Sequence, residues 1–476
     1  MMSFRDLREW LQEVDKMGEL RIARGAHWDL EIGTITELVR KERNRPAVMF
    51  DDIPGYPPGH RVLINPLGSI DRMAFTWGLP AGLSVLGLKQ AIRQKYKGLE
   101  PIKPLLVSDG PVMENVMTGD KVDLFAFPTP KWHEHDGGRY IGTGSVDITM
   151  DPEENWVNLG TYRVMIADRN HVCFYISPGK HGRIQRNKWL SQNEPMPVAI
   201  SCGHDPTIFL VGSTEFPYGI SEYEYAGAIK GQPVEVIKGP ATGLPIPAAS
   251  ELVLEGYVMP GETHMEGPFG EWTGYYGSDT RPEPVIEVKA VYHRNNPIIL
   301  GSPPAKPPNE RAFFGALFKS ILIEDELAKA GIPDVAGVWC HEQGGARLFV
   351  VVAVKQRYPG HAKQAAMVAG FCHAGAYLSR YVVVVDDDVD ITDLNEVIWA
   401  MCTRVDPVKD IEIIKDCWSG PLDPIIPVGE KGLSSRAIIN ACRPIRWIDS
   451  FPKVVGASPD LVEKTMARWR DLIHGG

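Results

Sequence analysis

Two glutamates, Glu266 and Glu271, lie five positions apart in the segment MEGPFGEWTGYYG, residues 265–277. Pro268 and Gly270 bend such a segment, so that both carboxylates can reach one cavity. Aromatic side chains follow the second glutamate: Trp272, Tyr275 and Tyr276. Two nearby carboxylates can divide acid and base roles when their surroundings keep one ionised and the other neutral. A turn with two solvated glutamates is the alternative, but the flanking aromatic residues favour an acid–base site.

An arginine is the natural fixed cation to hold one of these glutamates ionised, and Arg163 in the segment NLGTYRVMI is a candidate. The same segment contains Asn158. The segment WVNLGTYRVMIA, residues 156–167, predicts one continuous strand, in which positions five apart face opposite sides. Asn158 and Arg163 therefore need not share one task, and a surface charge is the alternative for Arg163.

Two further segments carry residues that suit a phosphate and a metal ion. SPGKHGRI places Lys180 and His181 in a glycine-bracketed turn, where backbone N–H groups and a lysine can meet a phosphate. In SEYEYAGAIKG, Ser221 and Glu224 match a helix capping box, which gives Glu224 a structural role and leaves Glu222 as the better ligand candidate. An amide oxygen, an imidazole and a carboxylate suit Mn²⁺ or Mg²⁺ more than structural zinc.

Other conspicuous patterns give weaker evidence of a functional site. WHEHDGG places His133 and His135 on one face of an extended chain, but no third metal ligand is evident, so a cavity wall or a turn is the simpler interpretation. The run VVVVDDDVD ends a buried strand with Asp386 and its neighbours, and acidic clusters at strand ends are usually solvated or cap helices. The sequence has no strand–GxGxxG–helix pattern, no Walker A motif and no GxSxG elbow.

The bulk properties are those of a soluble acidic enzyme. The chain has 476 residues, a net charge of -10 and 44% apolar residues, which favours two or three domains and argues against a nucleic-acid binder. No apolar run is long enough to span a membrane. The seven cysteines occur singly without a CxxC pair, which indicates a reducing cytoplasm and excludes a zinc ribbon.

The chain changes character twice along its length. Residues 1–115 mix an amphipathic helix with short extended runs, whereas residues 116–305 are rich in strands and turn signals. The first part predicts a small α/β domain and the second a mainly antiparallel β domain of barrel type, with RNNP, residues 294–297, closing a hairpin. The proline-rich segment GSPPAKPPNE marks the next boundary, at residue 306.

The C-terminal part predicts an α/β domain. Asn309 is the expected N-cap of a helix, and the strands RLFVVVAV and YVVVVDDD flank a further helix in a βαβ pattern. The last helix, which begins at residues 458–459, carries an apolar stripe formed by Val462, Met466 and Trp469. This stripe packs either on a partner subunit or on the core of its own chain, and the pattern favours neither.

Five motifs occur in order over nearly the whole chain: NLGTYR, SPGKHG, SEYEYAG, EGPFGEWTGYY and DDDVDITDLNEVIWAMCTRVDP. In these motifs the chain resembles the UbiD-type decarboxylases, which use prenylated FMN. The resemblance implies an α/β (α+β) protein with an N-terminal α/β domain at 1–115, a central split β-barrel that binds the flavin at 116–305, and a C-terminal α/β oligomerisation domain at 306–476.

The resemblance also implies roles for individual residues. It implies that Arg163, Glu266 and Glu271 form the catalytic set. The divalent metal, Mn²⁺ or Mg²⁺ with K⁺ nearby, would be held by Asn158, His181 and Glu222. The positions that would contact the cofactor are Thr161, Tyr162, Arg163, Tyr175, Ile176, Ser177, Lys180, His181 and Lys431. The residues around Lys431, in GEKGLSSRA, depart from the family pattern.

This chemistry needs an electron sink and one proton. Loss of CO₂ from an sp² carbon leaves a carbanion in the ring plane, and prenylated FMN provides the sink that ordinary flavin lacks. We expect Glu271 to donate the proton, kept neutral by burial among Trp272 and the tyrosines, while Arg163 keeps Glu266 ionised. Glu266 and His341 are the alternatives for the donor.

By resemblance the substrate is an aromatic, heteroaromatic or α,β-unsaturated carboxylic acid, and the segment KWHEHDGGRYIGTG favours a phenolic acid first and a pyrrole, furan or indole carboxylate second. The implied partners are this acid and CO₂, a flavin prenyltransferase that supplies the cofactor, and further copies of the chain in a dimer or higher oligomer. A non-catalytic flavin-binding module and a two-carboxylate hydrolase are the competing classes, and a hydrolase would need no phosphate-holding metal.

Overall fold

The structure is a computed structural model that describes residues 4–42, 44–214, 216–277, 279–427 and 429–474. Its strands are β1 Leu20–Arg24, β2 Ala47–Asp51, β3 Arg61–Ile64, β4 Leu105–Val107, β5 Asn115–Thr118, β6 Tyr140–Gly142, β7 Val146–Met150, β8 Val157–Gly160, β9 Arg163–Ile166, β10 His171–Tyr175, β11 Met196–Ser201, β12 Glu235–Lys238, β13 Pro245–Pro247, β14 Leu252–Glu266, β15 Arg281–His293, β16 Ile298–Gly301, β17 Val335–Cys340, β18 Phe349–Val354, β19 Tyr381–Asp386, β20 Ile411–Trp418 and β21 Leu433–Ala441.

The helices are α1 Leu7–Lys16, α2 Glu31–Val39, α3 Ile70–Thr76, α4 Val85–Lys97, α5 His181–Ser191, α6 Pro206–Gly212, α7 Glu222–Lys230, α8 Glu310–Lys329, α9 His361–Phe371, α10 His373–Ala376, α11 Leu394–Arg404 and α12 Pro459–His474. Short 3₁₀ segments lie at Pro111–Glu114, Gly119–Lys121, Leu124–Ala126, Glu342–Gly344 and Ile445–Ser450. Within the described ranges, no helix is both long and apolar enough to cross a membrane.

The N-terminal sheet has the order β1-β2-β3-β16. Strand β16 pairs in parallel with β3, and not with the preceding β15. The hairpin expected at RNNP is therefore wrong: the turn is present, but it passes the chain from the central sheet to the N-terminal sheet. The continuous apolar run of β16 explains the pairing, because a strand covered on both faces needs no polar alternation.

The central sheet is mainly antiparallel and curls as a split barrel, in the order β6-β9-β10-β15-β14-β11-β7-β8, with β5 on β15. The single strand expected over residues 156–167 is wrong, because β8 ends at Gly160 and β9 begins at Arg163. The break places Asn158 and Arg163 on different strands, so the alternation rule for one strand does not relate their directions.

The C-terminal unit confirms the predicted βαβ pattern. Asn309 caps α8 by accepting a hydrogen bond from the backbone N–H of Ala312 at 2.9 Å. Strands β18 and β19 pair in parallel, with α9 between them in the chain, inside the sheet β17-β18-β19-β21-β20. Side chains on both faces of β18 and β19 are buried, as their continuous apolar runs predict.

The mixed α/β architecture around a split barrel confirms the expected fold class. The boundaries at residues 115 and 305 stay a prediction. Two strand pairs cross the boundary at residue 115, because β4 pairs with β12 and β16 pairs with β3. The N-terminal and central units therefore exchange short strands, whereas the C-terminal sheet is built from β17 to β21 alone.

Candidate active site

The three residues expected to form the catalytic set meet in one ion-pair network. The guanidinium of Arg163 donates from Nη1 to Oε1 of Glu271 at 2.7 Å and from Nη2 to Oε2 of Glu266 at 2.8 Å. All three side chains are buried. The expected pairing of Arg163 with Glu266 is present, and the same planar guanidinium also binds Glu271, which fixes the separation of the two carboxylates.

The chain segments that carry the glutamates explain this geometry. Glu266 is the last residue of β14, and Gly267, with φ +88°, turns the chain out of the strand in a conformation that glycine adopts without strain. The turn then places Glu271 opposite Arg163. The loop is braced by Asp136, whose Oδ1 accepts from the backbone N–H of Gly270 at 3.1 Å.

Glu266 has a donor on each carboxylate oxygen. While Oε2 accepts from Arg163, Oε1 accepts from the phenol of Tyr140 at 2.8 Å. Burial raises the pKa of Tyr140, and the adjacent Glu266 adds to this, so the phenol stays protonated and donates. With a donor on each oxygen, Glu266 is placed to act as the hydrogen-bond acceptor of the pair rather than as its acid.

Glu271 is in a different state. Burial raises the pKa of Glu271 above its ordinary value, Arg163 opposes this, and the charge of Glu266 adds to it. Only Oε1 of Glu271 has a hydrogen-bond partner within the described part of the chain, so Oε2 can carry a proton. Two carboxylates on one guanidinium are therefore divided into an ionised one and a protonatable one.

The aromatic residues around this network differ from those expected. Tyr275 and Tyr276 are exposed, so they do not bury Glu271 as predicted. The ring of Tyr175 instead lies against two guanidinium groups, 4.5 Å from that of Arg163 and 4.5 Å from that of Arg281. Phe269 lies 5.4 Å from Arg163 on another side. Apolar rings thus surround the cation and keep water from it.

The residues expected to bind the metal also lie together. Glu222 is 2% exposed, and its Oε2 accepts from the backbone N–H of Leu159 at 2.7 Å, which places it beside Asn158. The phenol of Tyr162 accepts from Asn158 Nδ2 at 3.2 Å and from the backbone N–H of Gly182 at 3.0 Å. Gly182 follows His181, so one phenol links the asparagine to the histidine turn.

The state of Glu222 suits a cation. Burial raises the pKa of Glu222 to about 7, and no ion pair of this carboxylate occurs among the residues that the structure describes. Asn158 Nδ2 also donates to Thr149 Oγ1 at 3.2 Å, so both hydrogen bonds of this amide to described residues use its nitrogen and leave its oxygen available. An available amide oxygen beside an uncompensated carboxylate fits a hard divalent cation.

The capping box predicted for α7 does not form. Ser221 occupies the N-cap position, but its side chain makes no capping hydrogen bond, and its buried Oγ has no partner. Glu224 therefore does not have the structural role expected for it. The capping-box pattern is present in the sequence, but the side chain of Glu222 accepts a hydrogen bond from the backbone of Leu159. The first turn of α7 is closed by a backbone hydrogen bond from Glu224 to Ser221.

Tyr162 fills the interior of the barrel. A Cβ atom at Gly160 would lie 2.2 Å from its ring, and one at Gly182 would lie 2.7 Å from it, so glycine is required at both positions. The backbone N–H of Tyr162 donates to Oδ2 of the fully buried Asp147 at 2.6 Å. Asp147 thus holds the break between β8 and β9, and nothing in the local sequence pattern had pointed to it.

Most of the other expected cofactor positions lie in one segment of the chain, and Lys431 lies apart from them. Ile176 is buried with its carbonyl accepting from Arg183 at 3.0 Å, and Ser177 Oγ lies 3.5 Å from the phenol of Tyr175. Lys180 is the N-cap residue of α5, which begins at His181. These positions form one turn near Arg163, next to the metal residues.

Lys431 lies apart from that turn. Its ammonium group donates to the carbonyl of Asp423 at 2.6 Å, in a loop of the C-terminal unit. The same loop approaches the loop that follows Glu266 and carries Glu271, which is called the catalytic loop below. A Cβ atom at Gly277 would lie 2.7 Å from the side chain of Leu422. No hydrogen bond within the described chain ties Lys431 to the central barrel.

The residues that were set aside have structural partners. His133 pairs with Asp136 at 3.0 Å, and the backbone N–H of His135 donates to Tyr276, so this loop braces the catalytic loop. Asp386 pairs with Arg404 and Arg443 at the end of β19. His341 is buried in the C-terminal unit against Phe349, and burial lowers its pKa to about 4.

Family sequence models match most of the chain. The model described as the 3-octaprenyl-4-hydroxybenzoate carboxy-lyase N-terminal domain matches residues 11–90. The Rift-related domain of the same description matches residues 105–307, and the C-terminal domain matches residues 312–441.

Similar proteins cover the chain from end to end. A pyrrole-2-carboxylic acid decarboxylase of Pseudomonas aeruginosa is 33% identical over 99% of this chain and 98% of its own length. A phenolic acid decarboxylase of Sedimentibacter hydroxybenzoicus is 33% identical over 93% of this chain and 92% of its own length. The solved structure of an evolved dimeric form of the UbiD-class enzyme HmfF from Pelotomaculum thermopropionicum, in complex with prFMN, has a TM-score of 0.83 at 27% identity and covers 98% of this chain and 100% of its own.

Proposed function

The chain belongs to the UbiD family of carboxy-lyases, and from that premise we propose that it decarboxylates an aromatic or heteroaromatic carboxylic acid reversibly and without oxidation, using prenylated FMN. The single observation that carries this proposal is the unequal glutamate pair on Arg163. A non-oxidative decarboxylase needs one group that delivers a proton and one that stays charged, and the pair supplies both.

Glu271 is the proton donor in this proposal. Its Oε2 has no hydrogen-bond partner in the described part of the chain, whereas each oxygen of Glu266 accepts from a donor. Arg163 orients both groups, and the charge of Glu266 favours the protonated form of Glu271. After CO₂ leaves, Glu271 delivers its proton from Oε2 to the ring carbon, and in the reverse direction it removes that proton.

Prenylated FMN, when bound, supplies the electron sink for the carbanion that forms as CO₂ leaves. Its phosphate would be held by the turn that contains Lys180 and His181, at the start of α5. Thr161, Tyr162, Arg163, Tyr175, Ile176 and Ser177 line the adjoining path, and we propose them as cofactor contacts. Lys431 stays a weaker candidate, because its ammonium group is engaged with Asp423.

Asn158, His181 and Glu222 would hold a divalent cation, Mn²⁺ or Mg²⁺, with K⁺ nearby. Two observations support this assignment. Glu222 is buried and forms no ion pair among the described residues, and the Asn158 amide uses its nitrogen for hydrogen bonds and leaves its oxygen available. The cation would neutralise Glu222 and position the cofactor phosphate. This division of labour leaves Arg163 and the two other glutamates for the substrate.

A phenolic acid is the first substrate class, and a pyrrole, furan or indole carboxylate is the second. The two decarboxylases at 33% identity act on a pyrrole carboxylic acid and on phenolic acids, and their equal similarity supports both classes. A flavin prenyltransferase would supply the cofactor, and we propose that both proteins work in the cytoplasm, where free cysteines such as those of this chain stay reduced.

The test is to express the chain together with a flavin prenyltransferase. The purified protein is examined by mass spectrometry and absorption for bound prenylated FMN, and CO₂ release is measured over a panel of hydroxybenzoates and five-membered-ring acids. We expect turnover of at least one acid, and loss of cofactor when the metal is removed with a chelator. Cofactor without turnover of any acid would favour a binding module, and activity that survives metal removal would favour a hydrolase.

We also propose that the chain forms at least a dimer through its C-terminal unit. In α12 the apolar stripe is exposed at Val462 and Trp469, so the core of the same chain does not cover it. A second copy is the proposed cover. Sedimentation of the full chain at micromolar concentration should give a species heavier than 52.7 kDa, and a variant with Val462 and Trp469 changed to serine should shift toward that mass.

A further inference from the structure

Arg311, Lys319 and Arg347 are three cations beside the loop that carries Glu271, and none of them forms a salt bridge within the described residues. Arg311 and Lys319 lie on one face of α8, since positions eight apart follow the same stripe of a helix, and Gly315 lies between them. Arg347 faces this stripe from the turn after the Glu342–Gly344 segment. Among the residues that the structure describes, none of the three cations belongs to a salt bridge.

The glycine in this stripe explains how the groups come together. A Cβ atom at Gly315 would lie 3.5 Å from the Cβ of Ala346, which precedes Arg347, so the helix and the turn are in contact there. Arg347 then lies close enough to lower the pKa of both Arg311 and Lys319. Repulsion between neighbouring like charges raises the free energy of this arrangement, and a bound anion would remove that repulsion.

Burial increases that cost. It is the largest cause that lowers the pKa of Arg311, to about 10, and of Lys319, to about 8, with Arg347 adding to both. All three side chains are nevertheless partly accessible rather than sealed in the core. A small anion can therefore reach them.

Two of the three cations lie beside residues of the proposed catalytic site. Arg311 donates from Nη1 to Thr161 Oγ1 at 3.2 Å, two positions before Arg163, and its charge acts on Glu271. The guanidinium of Arg347 lies 5.2 Å from the ring of Trp272, the residue after Glu271. Arg311 and Arg347 therefore lie beside neighbours in sequence of Arg163 and Glu271.

We propose that Arg311, Arg347 and Lys319 form a second anion subsite, and that the preferred aromatic acid carries a second acidic group, a carboxylate or an ionised phenol, that pairs with Arg311. The inference rests on the proposed function of the site. The cofactor phosphate is the other possible anion, but Lys180, His181 and the metal residues provide for it, whereas Arg311 acts on the proton donor Glu271.

An occupied subsite would also favour catalysis. The charge of Arg311 lowers the pKa of Glu271 and so opposes its protonated form. A substrate anion paired with Arg311 would cancel that effect and leave Glu271 neutral when its proton is needed. Binding of the second acidic group and readiness of the donor are therefore coupled through one guanidinium.

The test uses the holoenzyme and measures binding by calorimetry, with benzoate, benzene-1,3-dicarboxylate and benzene-1,4-dicarboxylate as probes. We expect at least one diacid to bind about 10- to 100-fold more tightly than benzoate, which is the range of a charge-assisted hydrogen bond to a buried cation. Arg311→Met should reduce this ratio to about one. Lys329→Met, on the exposed end of the same helix, should leave the ratio unchanged.

Each outcome decides the proposal. An equal diacid-to-benzoate ratio in the wild type and Arg311→Met, or no preference for a diacid in the wild type, would overturn the subsite. Loss of bound flavin in Arg311→Met would show that the anion is the cofactor phosphate, which also overturns it. If Arg311→Met does not fold, Arg347→Met takes its place under the same criteria. A diacid preference that depends on Arg311 in an enzyme without turnover would support the subsite and refute the proposed function.

Discussion

The phenol of Tyr140 donates to Glu266 Oε1 at 2.8 Å, and this contact makes the two catalytic glutamates unequal. Without it, Glu266 and Glu271 would each have one oxygen on Arg163 and one oxygen without a donor. With it, both oxygens of Glu266 accept a hydrogen bond, whereas Oε2 of Glu271 has no donor among the described residues. In the proposed mechanism, a residue outside the catalytic set thereby decides which glutamate is the acid.

Tyr140→Phe should therefore lower the stability and the activity together. Removal of a donor from a buried charged acceptor costs about 1.5–3 kcal/mol. When the activation free energy rises by this amount, kcat falls about 10- to 100-fold. Bound flavin should not change. Urea denaturation, kcat and flavin absorbance measure the three quantities.

The matched control is Tyr223→Phe. Tyr223 is also fully buried, but its phenol donates to the carbonyl of Pro245 at 2.8 Å, in a contact that includes no catalytic residue. This variant should lose about 1 kcal/mol of stability and keep its kcat. Equal loss of kcat in the two variants would show that Tyr140 acts through general stability and not through Glu266.

Glu222→Gln should lose the divalent metal, because the amide keeps the shape but removes the charge that a cation needs. Metal content by plasma mass spectrometry should fall to background, and bound flavin should fall with it. The metal-free variant should be at least as stable as the metal-free wild type, since burial raises the pKa of Glu222 to about 7 and the neutral amide avoids that cost.

Glu224→Gln is the control for this prediction. The capping box expected for Glu224 does not form, so the change should cost less than about 0.5 kcal/mol, as is usual away from specific contacts. Metal and flavin should stay bound. Equal metal content in the two variants would remove Glu222 from the proposed metal site.

How far the sequence predicts this site depends on how local each contact is. Glu266, Glu271 and Arg163 belong to short motifs, and the structure brings these three together. Tyr140 could not be found in the same way, because it lies 126 residues before its partner and occurs in no spacing that indicates chemistry. Its position depends on the pairing of β6 with β9, which is a property of the assembled sheet.

The fold shows the same division. Continuous apolar runs predicted the parallel pair of β18 and β19, because burial on both faces leaves a clear pattern in composition. The turn before β16 was recognised, but a turn does not determine which strand the chain pairs with next. The run Ile298–Gly301 is apolar without alternation, and this was the available sign that it enters a covered sheet and not a hairpin.

The stability of the protein should depend on pH through Asp147. Burial raises the pKa of Asp147 to about 8 in the folded chain, whereas the pKa of an aspartate in the unfolded chain is about 4. Between these values the folded state holds a proton that the unfolded state has lost. The contribution of Asp147 to stability is therefore fully present below the unfolded pKa and decreases as the pH rises, by up to about 1.4 kcal/mol per pH unit.

Asp147→Asn removes this titration while keeping an acceptor for the N–H of Tyr162. The difference in unfolding free energy between the wild type and the variant should shift in favour of the variant from pH 5 to pH 8. Urea denaturation at three pH values measures it, with the exposed Asp120→Asn as a control that should show no such shift. A constant difference across the range would mean that Asp147 is ionised in the folded protein.

Glu271→Gln tests the proton donor itself. The amide retains the shape and accepts from Arg163 in the same way, so the variant should fold and keep its metal and prenylated FMN, but it has no proton to transfer. Because general acid–base steps contribute roughly 10²- to 10⁴-fold, turnover should fall by about that factor. Exchange of hydrogen at the ring carbon of the product, measured by NMR in D₂O, should fall by a similar factor, since it uses the same transfer in reverse.

The two readouts separate the possible causes of a slow variant. Slow release of CO₂ with normal exchange would place the defect before protonation, in binding or in orientation by Arg163. Loss of both, with flavin content unchanged, is the result expected of a donor. Near-normal rates for both would exclude Glu271, and Glu266 would then be the next candidate, despite the donors on its two oxygens. His341 would follow only after Glu266, because its neighbours are Phe349 and residues of the C-terminal unit, not the glutamate pair.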